Sequence, residues 1–308
     1  MFGFAKPKFP LFSTTARVAG LRGRRGFTLI ELLVVIGIIA LLVALMLPVL
    51  AKAKAIGKQC RELAAAKQLS TAFTVYSDAN KGRVLTGIPT TAMVAGQMVV
   101  TNQAGQRIYG EEATRYPWRI APYLEYDFRG LYQSDEMLRE ARAVGEAGGG
   151  ADQTYEYVVS LFPSLGMNVA FIGGADRFGA FDRIFQQRLG RQHIVRLDEV
   201  AKPSKLLTFV SARCETQPAA PNLGRPEGFF RVEPPRFSLS EGERWESAYD
   251  PKAEAPGVNS GFVSLRHMNR AVTTAIDGHA EMLGWDDLRD MERWANKATS
   301  RDWMIGAN

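Results

Sequence analysis

Between Phe27 and Leu50 the chain runs through 24 residues with a single ionisable side chain, Glu31. At 1.5 Å per residue, an α-helix over that stretch is roughly 36 Å long, enough to cross the hydrocarbon core of a bilayer. It is too long for the apolar core of a secretory signal peptide. A carboxylate five residues into such a segment is costly unless it is paired or lies near the interface, so Glu31 marks a function rather than an accident. A basic run, Arg22-Gly23-Arg24-Arg25-Gly26, stands directly before the apolar stretch. Cutting after Gly26 would create a positive α-amino group on Phe27, which Glu31 of a neighbouring molecule could meet inside a helical assembly.

The stretch Gly26-Phe27-Thr28-Leu29-Ile30-Glu31-Leu32-Leu33-Val34-Val35-Ile36 resembles the amino terminus of type IV prepilins and type II secretion pseudopilins. The resemblance implies cleavage after Gly26 by a membrane aspartic prepilin peptidase, N-methylation of Phe27, and packing of the apolar helices into a filament core. Glu31 would align each incoming subunit with the amino terminus of its neighbour. The partners implied are the prepilin peptidase, other pilin-like subunits, an inner-membrane assembly platform and the lipid around the anchor. The implied location is the bacterial inner membrane, as a single-pass protein with its carboxyl terminus outside, and an extracytoplasmic filament after assembly. The motif covers about the first tenth of the mature chain.

The net charge of +6 and pI near 9.3 would ordinarily point to nucleic acid or anionic lipid. Lys6, Lys8, Arg17, Arg22, Arg24 and Arg25 all lie in residues 1–26, which hold no acid; of the 38 basic residues 32 remain beyond them, against 32 acidic ones. The processed chain is therefore nominally neutral, and no nucleic-acid partner is expected. Lys52, Lys54, Lys58 and Arg61 follow the anchor closely, so orientation rests on the family resemblance rather than on flanking charge. Cys60 and Cys214 leave two readings open, a disulfide or two buried thiols. Neither a C-x-x-C pair nor zinc-ligand spacing is present.

Four regions are expected. Residues 1–26 form the leader and 27–50 the membrane-spanning helix. An amphipathic continuation over 51–80 carries Ile56, Cys60, Leu63, Leu69, Phe73 and Tyr76 at helical spacing. Residues 81–308 form an extracytoplasmic domain. Pro48 predicts a kink or a locally melted turn. The fold class is α+β and pilin-like: a long amino-terminal helix, membrane-spanning in its first half, packed on a domain with a small antiparallel β-sheet.

Within the domain, a packed turn is expected over Tyr116-Pro117-Trp118, with a sugar-stacking surface as the other reading. A short helix is expected over 135–144, a glycine linker to residue 150, a strand or short helix over 155–162, and a buried strand over 206–210. Residues 215–261 hold seven of the fifteen prolines and show almost no apolar period, so they read as a long surface insertion. Glu241, Glu243, Glu246, Asp250 and Glu254 are its candidate calcium ligands, although no EF-hand spacing is present. No other cofactor is indicated.

Near the carboxyl terminus, residues 262–267, 271–276 and 279–283 read as three antiparallel strands, with Asp277-Gly278 as a two-residue type I′ turn. His267 followed after nine residues by Asp277-Gly278 resembles the H-x9-DG signature of a prepilin-like family. Ser164 to Asn168 and Pro203 to Val210 resemble that family's internal blocks. If His267 pairs with Ala271, Asp277 falls about 20 Å away along the ribbon, so the two cannot share a metal or a proton. Asp277 and Gly278 are then turn formers and His267 a half-buried strand-end residue. A last helix is expected over 286–296, with Trp285, Leu288, Met291 and Ala295 on one face.

No P-loop, Rossmann, G-x-S-x-G or H-E-x-x-H pattern occurs, and three histidines leave little room for a triad. The expected function is structural, not enzymatic: a subunit of a type II secretion or type IV pilus-like filament. The alternative is an anchored extracytoplasmic receptor or carbohydrate-binding module. A third reading is a secreted enzyme with a twin-arginine signal at Arg24-Arg25, which the overlong apolar core and Glu31 oppose.

Overall fold

A computed structural model describes residues 27–132, 138–139, 151–215 and 227–306. The leader with Gly26, the linker to residue 150 and all but residues 138 and 139 of the helix expected over 135–144 lie outside them. Two compact units separate between Lys52 and Ala53. The fold is α+β and pilin-like: one long amino-terminal helix and a carboxyl-terminal domain built on a five-stranded sheet.

Helix α1 spans Leu29–Ala79 and runs without interruption through Pro48, so the expected melted turn does not occur. A proline removes one backbone bond, and the long leucine-, valine- and alanine-rich surroundings carry the helix past it. In the first unit every side chain from Phe27 to Leu50 is exposed, and this part of α1 is long and apolar enough to cross a membrane. Glu31 is its one charged residue.

In the second unit, α1 buries Glu62, Ala65, Ala66, Leu69, Ser70, Ala72, Phe73 and Ser77, a stripe at helical period. Leu69 and Phe73 lie on the expected face, whereas Ile56 and Cys60 are exposed. The burial begins at Glu62 and favours small residues, which let the helix backbone approach the sheet. Phe73 meets Phe209 edge-on, with ring centres 5.8 Å apart. The helix stops where Gly82 N–H donates to the Ser77 carbonyl.

Five strands follow: β1 (Leu165–Asn168), β2 (Leu207–Ser211), β3 (Arg231–Val232), β4 (Arg270–Ala275) and β5 (Ala280–Gly284), in the spatial order β3-β1-β2-β4-β5. Neighbours are antiparallel except β1 and β3, which pair in parallel through Met167–Arg231 and Asn168–Val232. The sheet is thus mixed, which corrects the antiparallel expectation. The parallel edge strand comes from within 215–261. The described part of that segment is no surface insertion, because Phe229, Phe230, Val232, Phe237 and Trp245 are buried in the core. These side chains follow no period because the segment winds through the core instead of forming one long element.

The expected three-strand meander is two strands. Residues 256–260 are helical, Gly261 and Phe262 both take positive φ, and the β-pairing of this stretch is limited to isolated bridges at Val263 and His267. The type I′ turn lies elsewhere. His267 and Arg270 exchange both backbone bonds around Met268 and Asn269, whose φ values are 50° and 60°. At the next corner only Gly278 has positive φ, and Gly278 N–H donates to the Ala275 carbonyl. That corner is a three-residue loop with a glycine bulge rather than a two-residue turn. Residues 151–161 are helical, which resolves the open assignment there. The last expected helix splits into Trp285–Leu288 and a 3-10 turn, Met291–Arg293, because the Asp290 carboxylate caps a new start at Glu292 N–H.

Candidate functional site

The amino-terminal segment opens on a capping box. Thr28 precedes the first helical residue, and its Oγ1 accepts from Glu31 N–H at 3.2 Å. Glu31 Oε2 accepts in return from Thr28 N–H at 2.9 Å and from Thr28 Oγ1 at 2.8 Å. A threonine followed three residues later by a glutamate satisfies two otherwise orphaned helix-start donors. Glu31 therefore has a partner within its own chain, one that the sequence reading did not identify although the T-x-x-E spacing carries it. Only Oε2 is engaged; Oε1 accepts no hydrogen bond among the described residues. Phe27 stands exposed beside it, at 71 %.

A second carboxylate fixes the other part of α1 to the sheet. Glu62 is 2 % exposed, and both its oxygens are engaged. Arg266 grips it with two donors, Nη2 to Oε1 at 2.8 Å and Nε to Oε2 at 2.9 Å. His267 Nε2 lies 2.6 Å from Oε2, and Ser211 Oγ donates to Oε1 at 2.6 Å. Arg266 also donates to the carbonyls of Ala212 and Ser164, so its guanidinium binds β2's extension as well as the helix. Burial pushes the Glu62 carboxyl up, but the Arg266 charge and the bonds from His267, Arg266 and Ser211 outweigh it and hold the group at about 2. The carboxylate is ionised at neutral pH, so His267 Nε2 is the donor to it.

This arrangement places His267 in an isolated bridge opposite Arg270, at the start of the turn into β4, buried against the helix rather than at the end of a strand. Asp277 is elsewhere: its Oδ1 accepts from His279 N–H and lies 2.9 Å from His279 Nδ1, inside the turn that Gly278 completes. The structure thus gives His267 and Asp277 separate partners. Glu62 was missed in the sequence because it sits among Lys58, Arg61 and Lys67 as one more charge on an amphipathic helix. Its only signal is its spacing of three, four and seven from Ala65, Ala66 and Leu69.

The candidate calcium ligands are dispersed among cationic and amide donors. Glu241 pairs with Arg244, Glu243 with Arg236, and Glu246 accepts from Asn259. Among the described residues no three His, Cys, Asp or Glu side chains converge as a metal site. The aromatic cluster is buried: Tyr116 and Trp118 are almost fully enclosed, with donors spent on the carbonyls of Leu165 and Glu156. It covers the core and offers no sugar-stacking face. No disulfide joins the cysteines; Cys60 is exposed and Cys214 buried, which corrects both readings.

Residues 21–47 match the prokaryotic N-terminal methylation motif, a family model that takes in Gly26, Phe27, Glu31 and most of the exposed apolar segment. The match supports a type IV pilin- or pseudopilin-type protein, and with the long apolar helix it is consistent with a single-pass membrane anchor. No curated protein and no solved structure matches the chain.

Proposed function

We propose that the protein is a structural subunit of a type II secretion or type IV pilus-like filament, made as an inner-membrane precursor and cut after Gly26 by a prepilin peptidase. The observation that carries this reading is the methylation motif lying on a helix whose residues 27–50 bury nothing within the chain. Such a surface is stable only in lipid or against other apolar helices. Removal from lipid into a bundle of identical helices would supply the assembled state, with Glu31 paired to the new amine of a neighbouring Phe27. Glu31 Oε1 is available for that bond while Oε2 keeps the cap. The carboxyl-terminal domain rides on α1 through Glu62, so its role is to be displayed rather than to catalyse.

The test is the mass and amino-terminal sequence of the protein recovered from its native membrane. A chain that begins with N-methylated Phe27 is expected. A chain that begins at Lys54, as a cut after Ala53 would leave, or one still carrying Met1, overturns the reading.

A further inference from the structure

Beside the carboxyl-terminal end of α1 lies a cleft of about 480 Å³, within the size range of small-molecule sites. Tyr76 and Asn80 of α1 form one wall, the stretch from Arg83 to Thr86 a second, and Met98 to Thr101 a third. Trp118 and Arg119 close the floor. Its lining is mixed, with polar atoms of Tyr76, Asn80, Thr86 and Thr101 beside the apolar side chains of Leu85, Met98 and Val100. Among the described residues its charged members are Arg83 and Arg119, with no aspartate or glutamate.

Arg119 is only 8 % exposed, yet among the described residues every hydrogen bond it makes goes to a neutral carbonyl. Nη1 donates to Thr86 at 2.5 Å, Nη2 to Gly87 at 2.7 Å and Nε to Arg115 at 3.4 Å. A guanidinium has five N–H donors, so two remain. Burial lowers the Arg119 pKa to about 10, which leaves it charged at neutral pH. A buried cation without a carboxylate is costly, and a structural arginine is normally seated against an acid, as Arg266 is against Glu62. Arg119 and Arg83 line the same cleft as Tyr76, whose phenol burial raises and whose rise the charges of the two arginines oppose.

We infer that this cleft binds a small organic carboxylate, its carboxylate at Arg119 and Arg83 and the rest of it along the mixed polar and apolar walls from Arg83 to Thr86 and from Met98 to Thr101. The arrangement fits planar recognition of a carboxylate by arginine, with the three carbonyl bonds holding Arg119 in place beforehand. The site stands apart from the apolar segment and does not depend on the filament reading.

The experiment is a calorimetric titration of the full chain in detergent with acetate, phenylacetate and 4-phenylbutyrate, each beside its amide. Saturable binding of at least one acid is expected below about 20 mM, with the matching amide weaker by roughly tenfold, the worth of one charge-assisted contact. Arg119 holds the local backbone, so the variant of choice is Arg83→Gln, whose side chain is exposed. It should bind the acid several-fold more weakly while melting at the unchanged temperature. Equal binding of acid and amide, no saturation by any acid, or undiminished binding by Arg83→Gln overturns the proposal.

Discussion

Glu62 and His267 meet at 2.6 Å across 205 positions of sequence, one on the long helix and the other at the turn that leads into β4. With Arg266 beside them they form the buried polar contact that fixes α1 in its seat. Removing the carboxylate strands a buried guanidinium and an imidazole. Glu62→Gln should therefore lower stability by about 3 kcal/mol, read as a shift in urea midpoint at constant slope. Pairing it with Arg266→Met should recover part of that loss, because the uncompensated charge is then gone. Additive losses in the double variant would show that the two side chains act separately.

Acid should weaken the domain in two stages. Burial and the nearby Arg191 charge depress His193 to about 4 from 6.5. The unfolded chain then takes up that proton first, so this contribution is present above pH 6.5 and is lost as pH falls towards 4. Glu62 is held at about 2 against 4.5, so its contribution is present above pH 4.5 and is lost as pH falls towards 2. The second stage is on the order of 3 kcal/mol. Melting curves from pH 7 to pH 2 should show both steps, with only the first left in Glu62→Gln and only the second in His193→Phe.

What the sequence made legible follows the range of each interaction. The apolar anchor depends on composition alone, and β2 on a local run of apolar residues, so both could be read directly. The Asp277-Gly278 corner was legible as a turn but not as a three-residue one, since that depends on the partner register of Thr274 and Ala280. Glu62 was illegible because Ser211, Arg266 and His267 lie 149, 204 and 205 residues away. The segment 227–261 was misread because Phe237 and Trp245 are buried by contacts with distant elements, with no element of their own to impose a period.

Met268 occupies the first corner of the type I′ turn at φ 50° and is 70 % exposed. A left-handed conformation is strained for methionine and well tolerated by asparagine, while an exposed side chain has little packing to lose. Met268→Asn should stabilise the domain by roughly 0.5–1 kcal/mol. Denaturant titration reads the change, and a loss of stability would mean that the methionine makes a contact in solution that outweighs its strain.

Two glycines at positive φ separate strain from collision. A Cβ on Gly278 would meet nothing nearer than Ser70 Oγ at 3.5 Å, so Gly278→Ala should cost about 1 kcal/mol, from backbone conformation alone. A Cβ on Gly173 would lie 2.1 Å from the Leu85 carbonyl oxygen and 2.6 Å from Gly87 N. Gly173→Ala should cost more than about 3 kcal/mol or prevent folding, since backbone must move on both sides. Similar losses at the two positions would mean that the Gly173 contact relaxes easily.

At Glu31, capping and charge can be tested apart. The carboxylate closes a capping box with Thr28, and glutamine can make the same reciprocal bonds without a charge. The proposed pairing with a neighbour's Phe27 amine would require the charge, because a neutral amide gives up the ionic attraction that is strongest where water is excluded. Glu31→Gln should therefore be processed normally, keep its helix start, and still enter filaments as poorly as Glu31→Ala. Thr28→Ala loses the cap but keeps the charge, so it should assemble, with a helix start weakened by about 1 kcal/mol. Quantitative recovery of each variant in sheared filaments, against its processed amount in the membrane, measures the difference. Full incorporation of Glu31→Gln beside failure of Thr28→Ala would reverse the assignment and make the cap, rather than the charge, the requirement for assembly.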